Sequence, residues 1–167
     1  DDRFAARFAE NAARFQGARN NFVFHAGMGH VPTDVAPDVR GRGYQIEAEV
    51  FIEGPDTQGV LIAHGDATSG YSLFVRNGRL VHDMNIGGQH HVLESDRPAP
   101  QGHCRLGIRV QVGPLVPVPP PPAAMHAMVP AWREGTLLID GEPAGSIKLQ
   151  VGFNNFISWS GLDIGRD

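Results

Sequence analysis

The run Tyr71-Ser72-Leu73-Phe74-Val75-Arg76-Asn77-Gly78-Arg79-Leu80 sets an Asn-Gly pair between two segments rich in apolar and β-branched residues. Asn and Gly both accept positive φ at little cost, and the type I′ turn they form carries the twist that suits two antiparallel strands. The spacing therefore predicts a tight hairpin, Tyr71–Val75 turning into Leu80–Ile86. On its N-terminal side Val60–His64 is a short apolar strand, closed by the turn-rich run from Gly65 to Gly70. Before that, Tyr44, Ile46, Ala48, Val50 and Ile52 alternate with Gln45, Glu47, Glu49 and Phe51 and end at Gly54-Pro55. This is the period of a half-buried strand. Beyond the hairpin, His91–Glu94, then Leu106, Ile108, Val110 and Val112, then Thr136–Asp140 before Gly141, continue the pattern. Ile147, Leu149 and Val151, Phe156–Trp159 and Leu162–Ile164 complete it. About eight to ten short strands punctuated by Gly, Pro, Asn and Asp predict an all-β, antiparallel two-sheet sandwich. Parallel α/β architecture needs helices between strands, and the sequence offers none after the first fifteen residues or so.

Two intervals break this rhythm. At the start, Phe4, Phe8, Ala12 and Phe15 recur at helical spacing, with Arg3, Arg7, Glu10 and Arg14 mostly off that stripe. The pattern predicts a short amphipathic helix within residues 1–19, followed by a sandwich domain over 20–167. Its three phenylalanines need a surface to cover them, either this domain or another. The second interval is proline-rich, near 113–130, with Pro114, Pro117, Pro119, Pro120, Pro121, Pro122 and Pro130. Proline withholds the N–H of a central strand, so this reads as an insertion or irregular arm at an edge or end of the sandwich. Met125, Met128 and Trp132 are apolar contacts it offers to a neighbouring domain.

The 167 residues suffice for one core without staples, and 41% apolar with 19% charged residues fits neither disorder nor a membrane span. A net charge of −4 with no basic block argues against a nucleic-acid partner. One cysteine, Cys104, excludes an internal disulfide framework. The chain begins at Asp1, which suggests a processed product or an excised region.

Eight histidines, His25, His30, His64, His82, His90, His91, His103 and His126, raise the question of a metal. Zinc needs convergent ligands at about 2.0–2.3 Å, and adjacent His90 and His91 on a strand point to opposite faces. His103 and Cys104 diverge for the same reason, and no H-x-H, C-x-x-C or H-E-x-x-H spacing occurs. The loop carboxylates Asp56, Asp66 and Asp83 could make a calcium site, but no EF-hand pattern orders them. Ser69, His64 and Asp66 contain the residue types of a serine triad, but no G-x-S-x-G elbow presents a nucleophile. Glu47 and Glu49 share one polar strand face and read as a solvated stripe rather than a glycosidase pair. Among large aromatics, alternation puts Tyr44 and Tyr71 toward the core. Trp132 and Trp159 remain as candidate ligand-contact residues, suited to stacking on a sugar.

Longer phrases carry a resemblance. Gly59-Val60-Leu61-Ile62-Ala63-His64-Gly65-Asp66 runs into Ser69-Gly70 and the hairpin. Ser95-Asp96-Arg97-Pro98, Leu138-Ile139-Asp140-Gly141 and Leu162-Asp163-Ile164-Gly165-Arg166-Asp167 follow in order. Over about 20–113 and 134–167 the chain resembles the C-terminal region of bacterial arylsulfatases of the alkaline-phosphatase-like sulfatase family. The proline-rich interval departs from that pattern, which tends to carry a glycine-rich hairpin there. The resemblance implies a concanavalin-like, laminin-G-like jelly roll following a catalytic α/β domain. It implies a sulfate-ester hydrolase using a formylglycine, made within C/S-x-P-x-R, and a divalent cation, commonly calcium. Neither feature carries over: Cys104 is followed by Arg105-Leu106-Gly107-Ile108, Ser95 by Asp96-Arg97-Pro98, and Lys148 is the lone lysine.

The expectation is therefore a non-catalytic accessory domain whose partner is the catalytic sulfatase domain of the same parent protein. It would pack on that domain or shape access to it through Phe4, Phe8, Phe15 and Trp132. Calcium and formylglycine are expected only in that other domain, with no cofactor, nucleic acid or membrane for this chain. The alternative is a carbohydrate-binding, lectin-like module.

Overall fold

A computed structural model describes residues 20–117, 128–154 and 157–166. The helix expected over 1–19, with Phe4, Phe8 and Phe15, lies outside the described residues, as does the stretch 118–127 of the proline-rich interval. Among the described residues eleven strands run in order: β1 Tyr44–Ile52, β2 Gly59–Gly65, β3 Ser69–Arg76, β4 Arg79–Ile86, β5 Gln89–Glu94, β6 Gly102–Val112, β7 Leu115–Pro117, β8 Met128–Pro130, β9 Arg133–Ile139, β10 Glu142–Leu149 and β11 Leu162–Ile164.

Nine of them form two antiparallel sheets, one ordered β11-β2-β3-β4-β5 and the other β1-β6-β9-β10. β10 packs toward β5 and β4 toward β9, so the sheets lie face to face. This is the all-β, two-sheet antiparallel sandwich. β7 and β8 pair separately as a two-stranded ribbon that prolongs β6 and β9. Strand pairing thus persists into the proline-rich interval, because Pro117 and Pro130 sit at ribbon ends, where no continuous ladder needs their missing N–H.

Alternation decides which side chains meet between the sheets. Leu73 and Leu80 from one sheet, and Leu106, Ile108 and Leu137 from the other, are fully buried. Each contributes about 1.5–3 kcal/mol of transfer free energy. Val81 faces outward yet is fully buried. Its cross-strand neighbours are Phe74 and Glu94, and Arg76 ties these together, with its guanidinium 5.9 Å from the Phe74 ring and 3.1 Å from the Glu94 carboxylate. Aliphatic arginine stems cover apolar surface in this way.

The Asn77-Gly78 turn has φ of 50° and 69°, as a type I′ turn requires, and Asp140-Gly141 repeats it at 51° and 83°. Gly78 is also wedged under the 54–57 loop: its N–H donates to the Thr57 carbonyl at 3.0 Å, and a Cβ there would lie 2.7 Å from the Pro55 carbonyl oxygen. Gly78→Ala is expected to lower stability by about 1–3 kcal/mol, while Asn77→Gly leaves it within about 0.5 kcal/mol. Urea midpoints of the two variants check this.

One expected strand is absent. Ile157–Trp159 is irregular, and Phe156 lies outside the described residues. The backbone there is satisfied by side chains: Thr33 Oγ1 lies 3.0 Å from both the Ser158 and Ser160 carbonyl oxygens, and Ser160 N–H donates to Ser158 Oγ at 3.0 Å. Such local bonds compete with a ladder and here replace it.

Candidate functional site

The β2–β3 turn, the 30–36 segment and the loop before β11 converge at one end of the five-stranded sheet. Their meeting point is Asp66. Its Oδ1 accepts from Thr68 N–H at 2.8 Å, Thr68 Oγ1 at 2.5 Å and Ser69 N–H at 3.2 Å, while Oδ2 accepts from Ser158 Oγ. These donors, Ser158 and Thr68 foremost, hold the carboxyl far below the usual carboxylate range. An acid so fully engaged is a fastener. It ties the loop before β11 to a turn 92 residues away in sequence.

The remaining bonds complete the fastening. Val31 and Leu162 exchange backbone hydrogen bonds at 2.9 and 2.7 Å, and Gly65 N–H donates to Gly161 O at 3.3 Å. His30 Nδ1 lies 3.0 Å from Asp163 Oδ2, and Arg166 Nε donates to Asp163 Oδ1 at 2.9 Å. Those partners, His30 first, hold the Asp163 carboxyl below its ordinary value.

His64 lies beneath this cluster, 2% exposed, with Nε2 3.4 Å from Thr33 Oγ1 and a buried Nδ1 that has no partner among the described residues. Burial, aided by nearby His30, pushes its pKa down to about 4, so the imidazole is neutral at pH 7. The triad residue types are close together here but do not form a relay. Asp66 accepts from Ser158 and the 68–69 turn, not from His64, and His64 faces Thr33, not Ser69.

What the cluster presents outward is Trp159. It is 74% exposed, although the residues on either side of it are bonded to Asp66 and Thr33. Leaving a large aromatic in water forgoes much of the free energy its burial would bring. Trp132 is placed differently. It is half-buried, packed against Gly113, with the Lys148 ammonium 4.2 Å above its ring. The two candidate tryptophans therefore belong to separate surfaces.

The other sequence candidates are spread over the molecule. Glu47 and Glu49 are exposed on β1, and Cys104 is 8% exposed with burial raising its thiol pKa. His90 and His91 face opposite ways. His90 Nδ1 meets Asp83 Oδ2 at 2.7 Å outside, while His91 lines a cavity between the sheets. Among the described residues no group of three or more His, Cys, Asp and Glu is placed to hold a metal ion. Sequence reading singled out Asp66 and Trp159, but not Thr33 or Ser158, which carry no local signal and become partners only through the fold.

No family model matches the chain, and neither does any curated protein. Solved structures do. A tryptophan-to-alanine mutant of HCR/D matches over 80% of this chain and 31% of its own, with 13% identity and a TM-score of 0.50. Domains LG4-5 of the mouse laminin alpha1 chain match over 90% of this chain and 37% of theirs, with 14% identity and a TM-score of 0.48. This chain thus spans about a third of the length of these structures, and at such identities the likeness is one of fold. The likeness to the HCR/D mutant accords with the two-sheet antiparallel sandwich described above.

Proposed function

We propose that this chain is a non-catalytic binding module of the jelly-roll class, with Trp159 as the stacking platform of a shallow carbohydrate site on the rim of the five-stranded sheet. The observation that carries this reading is a 74% exposed Trp159 on a loop held by side-chain and backbone bonds to Asp66, Thr33 and Gly65. A sugar ring offers one apolar C–H face and a rim of hydroxyls. Trp159 matches the first, and His30, Asp163 and Ser160 stand on the same rim to meet the second. The fastened loop is ordered before any ligand arrives, so less conformational entropy is lost on binding. Trp159→Ala is expected to weaken retention on polysaccharide matrices, or affinity for oligosaccharides by calorimetry, at least tenfold. Its melting temperature should stay within about 1 °C, because the ring lies outside the core. Unchanged binding by a folded Trp159→Ala protein sinks the proposal.

A second reading rests on the phrase-level resemblance to arylsulfatase C-terminal regions. In it the chain is an accessory domain of a sulfate-ester hydrolase, and the partner is the catalytic domain of the same parent. Exposed Leu115, Val116 and Met128 on the β7–β8 ribbon support it, at 55%, 37% and 52% exposure. Apolar residues clustered there suit packing against a neighbouring domain. Under this reading the chain by itself has no sulfate-ester turnover with calcium, and Leu115→Ser with Met128→Ser weakens its association with a catalytic domain.

A further inference from the structure

The inner face of the sandwich holds a charge that no described carboxylate neutralises. Across the four-stranded sheet, Tyr44, Val110, Gly135 and Ile147 form one row, and Val112, Arg133 and Leu149 the next. Arg133 therefore projects between the sheets, and it is only 6% exposed. Its Nη2 donates to the Phe153 carbonyl at 3.2 Å and to Asn154 Oδ1 at 2.5 Å, both neutral acceptors, and no described carboxylate pairs with it. A buried guanidinium with only neutral partners is costly.

Opposite lie Met84, His82 and His91 of the other sheet. These residues and Arg133 line a cavity of about 20 Å³ together with Val39, Tyr44 and Phe153, and its walls contain no acid. The cavity lies where Gly135 puts no side chain between Val110 and Ile147. His82 is 4% exposed, and the Nε2 atoms of both His82 and His91 are buried without a hydrogen-bond partner among the described residues. The walls thus combine one permanent cation, two unpaired imidazole nitrogens and a tyrosine in an apolar shell. Such a set calls for a small acceptor that also brings negative charge. A cavity this size accepts one particle of water or halide dimensions. The flanking loop adds to the sign of the field: Asp38 is already bonded by Arg40 and Arg42.

We propose that this inter-sheet cavity binds one small monoanion of chloride size, held by Arg133 with His82, His91 and Tyr44 around it. The occupant satisfies the orphaned nitrogens and balances the buried guanidinium, so it acts as a structural ion of the sandwich, separate from the Trp159 rim. Bromide is the probe. Crystals grown in sodium bromide are expected to show an anomalous peak in this cavity. The melting temperature is expected to rise by about 2–5 °C in sodium chloride over sodium gluconate at equal ionic strength. Arg133→Gln should remove both effects, though this variant also loses the bonds to 153 and 154. Gly135→Ala is the independent control. Its Cβ meets only Ile108 Cδ1 at 3.4 Å and Ile147 Cγ2 at 3.8 Å, so the variant folds, while the added methyl occupies the space of the ion. It should melt at the same temperature in both salts. Water density without bromide, a melting temperature that follows ionic strength alone, or a halide response retained by Gly135→Ala would each overturn the proposal.

Discussion

Gly65→Ala is expected to destabilise the protein by about 3 kcal/mol or more and to abolish with it the carbohydrate binding proposed for the Trp159 rim. Gly65 has φ of 128°, a conformation that side chains rarely adopt, and it faces Gly70 across the β2–β3 turn. A Cβ on Gly65 would lie 2.3 Å from the Ser69 carbonyl oxygen and 2.4 Å from the Gly70 Cα. A Cβ on Gly70 would lie 2.4 Å from the His64 carbonyl oxygen. All these obstacles are backbone, so no rotamer change relieves them. The two strands cross with only hydrogen atoms between them, and Asp66 begins its turn directly afterwards.

Moving that turn also moves the hydrogen bond from Asp66 N–H to Ser69 O and the bond from Gly65 N–H to Gly161 O, which together seat the loop carrying Trp159. Gly59→Ala on the same strand provides the comparison: nothing lies within 4 Å of its Cβ, so it should change stability by no more than about 0.5 kcal/mol. At about 2–4 °C per kcal/mol for a chain of this size, the Gly65 variant should melt at least about 6 °C lower. If Gly65→Ala melts like Gly59→Ala, the close crossing of backbones is not what forces glycine there.

The two glycines also show how far the sequence can be read. Asn77-Gly78 and Asp140-Gly141 announce their turns locally, because positive φ at two successive residues is a property of those residue types. The division of His90 to solvent and His91 to the interior follows from strand parity alone. Parity stops helping where a strand's start is misplaced. With β9 read from Thr136, Arg133 falls outside the strand, and its inward position three residues earlier is invisible. The rim is harder still, because Thr33, Asp66 and Ser158 are brought together only when both sheets have closed. A serine pair around Trp159 looks like strand sequence until Asp66 and Thr33 supply the bonds that a ladder would otherwise make.

The other large effect is acid destabilisation, and its cause is the neutral histidines of the interior. Burial lowers His64 and His82 to about 4 in the folded chain, with Asp83 only partly offsetting this for His82. In the unfolded chain both titrate near about 6.5. Between these values the unfolded state binds more protons than the folded one, so stability rises with pH across this window. It is complete above about pH 6.5 and is progressively lost as the pH falls toward 4. Each full shift corresponds to about 3 kcal/mol, and two such groups remove a large part of a typical domain's stability. The lowered carboxylates Asp38, Asp66 and Asp163 work in the same direction but at more acid pH, since their unfolded value lies near 3.8. Measured in sodium gluconate, with no halide to enter the inter-sheet cavity beside His82, urea midpoints should therefore fall steeply from pH 6.5 to 4.5, ahead of carboxylate titration. His82→Leu puts an apolar side chain in the place of the imidazole facing the other sheet, and it should remove about half of the slope while leaving stability at pH 4.5 higher than in the parent. His82→Leu combined with His64→Leu should leave the profile nearly flat over that range. A double variant that retains the full slope would overturn the assignment of the acid sensitivity to these two histidines.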